Sequence, residues 1–108
     1  MTDEHGHVRR LVVVSPVFND WVCANRLVQR FADLSGSLPP TELYLVNDGS
    51  TDPVALDSAS WGRGLSAVYV VHAGANLGHQ RAIALGIHSA IANSSPDLVA
   101  VIDADGED

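Results

Sequence analysis

Residues 98–108 read Leu98-Val99-Ala100-Val101-Ile102-Asp103-Ala104-Asp105-Gly106-Glu107-Asp108. The apolar run at the start of this stretch predicts a β-strand that is buried on both faces. Asp103 and Asp105 follow at positions i and i+2, which project to the same side of an extended chain. Two converging carboxylates repel each other unless a cation lies between them, and Mg²⁺ or Mn²⁺ is the natural oxygen-liganded choice. The residues alone are equally compatible with a solvated turn that ends a strand.

Similar short apolar runs occur upstream, separated by segments of helical periodicity. Strands are predicted at 11–14, 43–46, 67–71 and 98–102. Helices are predicted at 20–34, from Pro53 with Asp52 as its N-cap, and at 79–92, where Ile83, Ile87 and Ile91 are expected to pack on the sheet. The order β-α-β-α-β-α-β indicates an α/β fold, a parallel sheet with helical crossovers. One domain over 10–108 is expected, after a disordered N-terminus at 1–9.

Ligands of open parallel sheets bind beyond the carboxyl ends of the strands. That rule places four loop segments on one edge of the predicted sheet, namely 16–20, 47–51, 74–81 and 103–108. Because the carboxylate pair falls on this edge, a binding site is favoured there over a simple turn.

The composition excludes several classes of partner. The 108 residues carry a formal net charge of −7, which argues against nucleic acid and anionic membranes as partners. The content of 46% hydrophobic and 18% charged residues is typical of a soluble globular chain. The single cysteine, Cys23, and the absence of a signal-like or membrane-spanning apolar run indicate a cytoplasmic location.

Three polar residues on the predicted edge could contact a ligand. Asp48 can accept hydrogen bonds from a base ring N–H or a ribose hydroxyl, or it can simply cap the next helix. Asn76 precedes Gly78 and a helix N-terminus, where phosphate groups bind readily. Arg81, in the first turn of that helix, could reach a diphosphate or be a solvated surface residue.

Four segments together resemble family 2 glycosyltransferases with the GT-A fold, over residues 10–108. The segments are Pro16-Val17-Phe18-Asn19, Val46-Asn47-Asp48-Gly49-Ser50-Thr51-Asp52, Asn76-Leu77-Gly78-His79-Gln80 and Asp103-Ala104-Asp105. The Gly-His-Gln element and the acidic ending look like the polyprenyl- or dolichyl-phosphate sugar transferase branch. Asn47 stands where the family more often has aspartate.

The resemblance implies roles for individual residues. Pro16 and Phe18 are implied to line the base pocket, Asp48 to contact uracil or guanine and the ribose, and Asp103 to contact the diphosphate. Asn76 and Arg81 join this nucleotide-binding set because of their positions next to the helix N-terminus. Asp103 and Asp105 are implied to hold Mg²⁺ or Mn²⁺, with Glu107 as a third metal contact.

The implied activity is inverting, metal-dependent transfer of a sugar from a UDP- or GDP-sugar. The acceptor would be a polyprenyl phosphate or a saccharide, in the synthesis of envelope polysaccharide or glycolipid. The general base is expected beyond Asp108, so the 108 residues are expected to be the donor-binding half, inactive alone and able to form a homo-oligomer. Membrane helices in a longer protein would put it at the cytoplasmic face.

Two other readings stay open at this point. Val101 to Gly106 mimics the strand and Asp-x-Asp-Gly motif of haloacid-dehalogenase-type phosphatases, although that motif normally lies on the first strand of its domain. A non-catalytic nucleotide-sugar-binding module would keep the same fold without turnover. Phosphatase activity, or metal-dependent nucleotide affinity that is insensitive to the loss of Asp103 and Asp105, would favour these readings.

Overall fold

The computed structural model describes residues 9–34, 37–56 and 65–103. The elements follow in the order β1 (Leu11–Val17), α1 (Trp21–Asp33), β2 (Thr41–Asn47), β3 (Leu65–His72), α2 (His79–Ser94) and β4 (Leu98–Val101). Of residues 1–9, which were expected to be disordered, 1–8 lie outside the described residues, and so do Asp105 and Glu107.

The four strands form one parallel sheet in the order β3-β2-β1-β4. Val13 of β1 is in register with Leu43 of β2 on one side and with Ala100 of β4 on the other. The predicted α/β class is therefore confirmed, and the architecture is consistent with a Rossmann-like GT-A fold. No helix in the described ranges is long and apolar enough to cross a membrane.

Alternate residues of the central strand β1 face two separate apolar layers. Val13 and Leu11 pack with the α1 side, against a stripe formed by Trp21, Ala24, Leu27, Val28 and Phe31. Val12 and Val14 face α2 instead. Helix α1 begins as predicted, because the Asp20 side chain accepts a hydrogen bond from the Cys23 N–H at 3.2 Å.

Helix α2 packs on the sheet chiefly through small residues. Of the three isoleucines predicted to pack there, Ile87 does pack against this layer, and the prediction is wrong for Ile91. The buried positions are Ala82, Gly86, Ala90 and Ser94, whereas Ile91 is 58% exposed. A Cβ at Gly86 would lie 2.7 Å from a methyl group of Val46 and closer still to one of Val14. The helix backbone therefore rests almost directly on β1 and β2, which only a side chain as small as glycine permits.

Three other expectations need correction. Strand β4 is not buried on both faces, because it is the last strand of the described sheet, with a neighbour on one side only; Leu98 and Val101 are 51% and 45% exposed. Strand β1 continues past Ser15 through Pro16 to Val17. No helix begins at Pro53, since residues 53–56 are irregular, and the remainder of that connection (57–64) lies outside the described residues.

Candidate functional site

An open cleft of about 340 Å³ lies at the carboxyl ends of the strands, on the edge that the strand order predicts. The segments that follow all four described strands contribute to it, although His72, the last residue of β3, does not line it. Its lining residues are Pro16, Val17, Phe18, Asp20, Asp48, Asn76, Gly78, His79 and Asp103.

Asp48 is anchored between two loops. The residue is 5% exposed, and its backbone N–H donates to the Val17 carbonyl at 2.9 Å. Its Oδ1 accepts a hydrogen bond from the Leu77 N–H at 2.7 Å, in the loop that leads into α2. Asp48 therefore does not cap a helix that follows β2. Because Oδ2 accepts no hydrogen bond from the described residues, this oxygen can accept one from a ligand in the cleft.

The loop after β2 presses closely against the loop before α2. Gly49 has φ +71°, and a Cβ there would lie 2.6 Å from the Ala75 carbonyl carbon. A side chain at this position would meet both a strained backbone conformation and a backbone atom that cannot move aside. Glycine at position 49 thus permits the two loops that carry Asp48 and Asn76 to lie against each other.

Asn47 is occupied within the protein. Its Oδ1 accepts a hydrogen bond from the Ser50 N–H at 3.0 Å, and its Nδ2 lies 3.1 Å from Nδ1 of His72. An amide can donate and accept at the same time, which an ionised aspartate cannot do. This pairing gives a structural reason for asparagine at position 47, where the family that the sequence resembles more often has aspartate.

At the other end of the cleft, Asp103 follows β4 and faces the start of α2. Its Oδ2 lies 4.0 Å from Nε2 of His79, and the two side chains are 34% and 58% exposed. Gly78 is the N-cap residue of α2 and has no side chain to cap the first turn. The first N–H groups of the helix are therefore near the same part of the cleft as Asp103.

Of the three expected metal ligands, Asp103 is the one that lies within the described residues. Its carboxylate offers hard oxygen ligands at the cleft, the chemistry that Mg²⁺ and Mn²⁺ require. The other two expected ligands, Asp105 and Glu107, lie outside the described residues. Within the ranges that the structure describes, no three His, Cys, Asp or Glu side chains are grouped so that they could hold a metal ion.

The structure brings most of the expected nucleotide-binding residues together. Those that line the cleft are Pro16, Phe18, Asp48, Asn76 and Asp103. Arg81 is exposed in the first turn of α2 and is not among the lining residues, so both of its readings stay open. His79 and Asp20 line the cleft although neither was expected to. The position of His79, directly after Gly78 on the predicted edge, was the available signal.

Comparison with known protein families gives a match over most of the chain. The model of the family described as glycosyl transferase family 2 matches residues 12–108. The match runs from β1 through β4 and includes the acidic residues beyond Asp103. It is a match to the family as a whole and does not identify the polyprenyl-phosphate branch. A search of curated proteins found no significant match.

Proposed function

Because the chain belongs to glycosyl transferase family 2, we propose that the cleft binds a nucleotide-diphosphate sugar, the donor of the transferred glycosyl group. The observation that carries this proposal is that Asp48 and Asp103 line one cleft together with Phe18. A hydrogen-bond acceptor, an aromatic ring and a carboxylate suited to a cation are thereby presented to one ligand. These are the groups that a base, a ribose and a diphosphate need.

The base binds at the end of the cleft near Phe18 and Asp48. Phe18 is 49% exposed and offers an apolar ring for stacking, with Pro16 beside it. Oδ2 of Asp48 is an acceptor, so it favours a base that presents a ring N–H, as uracil and guanine do. Adenine and cytosine present an acceptor nitrogen at the corresponding ring position, and a carboxylate disfavours them. We therefore propose a UDP- or GDP-sugar as the donor.

The diphosphate binds at the end near Asp103 and the start of α2. The uncapped N-terminal N–H groups after Gly78 favour a phosphate there, as does the His79 imidazole when it is protonated. The carboxylates of Asp48, Asp20 and Asp103 oppose it, since all three line the cleft of a chain with net charge −7. A divalent cation held by Asp103, Asp105 and Glu107 would offset this repulsion, and it would supply Lewis-acid stabilisation of the leaving diphosphate.

The proposed reaction is an inverting displacement at the anomeric carbon of the sugar. An acceptor oxygen forms the new bond to that carbon while the bond to the diphosphate oxygen breaks, and the nucleoside diphosphate leaves with the electron pair. A polyprenyl phosphate is the proposed acceptor, with a saccharide hydroxyl as the other possibility. A phosphate acceptor is already ionised near neutral pH and does not need a strong general base.

The proposal is tested by titration calorimetry with UDP, GDP, ADP and CDP, each with Mg²⁺ and with Mn²⁺. We expect UDP or GDP to bind and ADP and CDP to bind more weakly. Asp48→Asn keeps an oxygen for the Leu77 N–H but presents an amide N–H₂ to the base. Loss of a hydrogen bond to a charged acceptor predicts an affinity about 10- to 100-fold lower.

Asp33→Asn is the matched control for Asp48→Asn. It removes the same charge at the far end of α1, where Asp33 accepts a hydrogen bond from Gln29 at 2.8 Å. We expect this variant to bind the nucleotide as the unaltered chain does. Equal affinity of the Asp48→Asn variant, or the absence of binding by all four nucleotides, would contradict the proposal.

A further inference from the structure

Asn19 connects the loop after β1 to the loop after β2 by several hydrogen bonds. Its backbone N–H donates to Oγ of Ser50 at 2.9 Å. Its side-chain Oδ1 accepts from the Asp52 N–H at 2.9 Å and lies 3.3 Å from Oγ1 of Thr51. Its Nδ2 lies 3.1 Å from the same Thr51 hydroxyl. Asn19 thus holds three consecutive residues of the neighbouring loop, Ser50 through its backbone N–H and Thr51 and Asp52 through its side chain.

The backbone of Asn19 is also unusual. Its φ is 60°, in the left-handed region, where among the non-glycine residues asparagine is one of the best tolerated. In the described part of the chain, Ser95 is the one other non-glycine residue with positive φ, and it lies at the C-cap of α2, at the opposite end of that helix from the cleft. The turn at Asn19 is therefore a local feature of the cleft edge.

The residues on both sides of these hydrogen bonds line the cleft. Phe18 and Asp20 flank Asn19 in sequence, and Asp48 precedes the loop segment that Asn19 holds. Asp48 is in turn bonded to the Leu77 N–H. The loops after β1 and β2 and the loop before α2 are therefore joined by one network of hydrogen bonds, which connects the backbone next to Phe18 with the carboxylate of Asp48.

We propose that Asn19 is a positioning residue for the base end of the nucleotide site, an inference that rests on the proposed function. It does not touch the nucleotide. It holds Phe18 and Asp48 at the separation that a stacked and hydrogen-bonded base requires before the nucleotide arrives. A site that is already ordered loses less conformational freedom on binding, so the affinity is higher than that of the same groups on independent loops.

Two substitutions separate the side-chain contacts from the backbone conformation. Asn19→Gly adopts φ 60° without strain and keeps the N–H for Ser50, but it loses every side-chain contact to Thr51 and Asp52. Asn19→Asp tolerates the same backbone region and keeps an oxygen for the Asp52 N–H. Ser95→Gly is the matched control, because it makes the same kind of change at the other positive-φ position.

The affinities for UDP and GDP with Mg²⁺ are measured by titration calorimetry, and thermal unfolding of each variant is followed in parallel. We expect Asn19→Gly to lower the affinity of the bound nucleotide about tenfold. Asn19→Asp should stay within about threefold of the unaltered chain. Ser95→Gly should bind equally well. Rescue by aspartate is the result that a general loss of stability would not produce.

Equal nucleotide affinity of the Asn19→Gly variant and the unaltered chain would overturn the inference and leave the proposed function standing. An Asn19→Asp variant as weak as Asn19→Gly would overturn it too, because the kept acceptor would then not matter. If the unaltered chain binds neither UDP nor GDP, the proposed function fails and the inference fails with it.

Discussion

The close packing of α2 on the sheet predicts that a single added methyl group at Gly86 lowers the stability of the fold. In Gly86→Ala, the new Cβ would lie 2.7 Å from Cγ2 of Val46 and closer still to Cγ1 of Val14. Both valines are fully buried in the two central strands. Their branched side chains have one strongly preferred rotamer and cannot easily turn away. The helix must therefore move outward or the strands must deform.

The expected cost follows from two opposing contributions. Overpacking of a filled core costs up to about 3 kcal/mol. Replacing glycine by alanine within a helix stabilises the helix by about 1 kcal/mol. We therefore expect Gly86→Ala to lower the free energy of unfolding by about 2 kcal/mol. For a domain of this size that is a fall of about 8–16 °C in the unfolding midpoint.

Urea unfolding followed by circular dichroism measures this change. Ala84→Gly is the control, because Ala84 is exposed on the same helix and reports the helix propensity alone. It should cost about 1 kcal/mol. A Gly86→Ala variant that is as stable as the unaltered chain, or more stable, would refute the close contact between α2 and the strands.

Two further predictions concern a buried hydroxyl pair and the loop after β2. Tyr44→Phe leaves the Ser94 hydroxyl, 2.5 Å from the lost oxygen, without its partner; urea unfolding should show a loss of about 1–2 kcal/mol, and adding Ser94→Ala should recover part of it. No recovery would mean that the pair is not coupled. Gly49→Ala meets the Ala75 backbone at a left-handed φ; it should cost about 1–2 kcal/mol and weaken the binding of UDP or GDP. Unchanged calorimetric affinity would contradict the close packing of these loops.

Much of the fold could be predicted because it depends on local apolar patterns. The valine-rich run in β1 and the apolar stripe of α1 each signal their element without knowledge of the rest of the chain. The parallel order then places the strand ends on one edge. Asp48 and Asp103, which are far apart in sequence, could for that reason be assigned to the same cleft.

The face of α2 could not be predicted because its contact with the sheet depends on distance and not on hydrophobicity. A pattern search favours the regular isoleucines, including Ile91, but the close approach to Val14 and Val46 requires Gly86 and its small neighbours. The burial of β4 depends likewise on its neighbours in the sheet, which its own apolar sequence does not specify.

The contacts that hold the site together were also beyond the sequence pattern. Asp48 accepts its hydrogen bond from Leu77, and Asn19 holds Asp52, in each case across a large gap in the chain. Such bonds arise only once the sheet has brought the loops together. Spacing rules detect short-range contacts such as the Asp20 cap and have no means of detecting these.

The central claim is that one nucleotide occupies the cleft from Phe18 and Asp48 to Asp103. Amide chemical shifts measured by NMR during a titration with UDP or GDP and Mg²⁺ test it most directly. We expect the amide signals of all three residues to shift along one binding curve with a single dissociation constant. Shifts confined to Asp103, or to Phe18 and Asp48 alone, would contradict the claim.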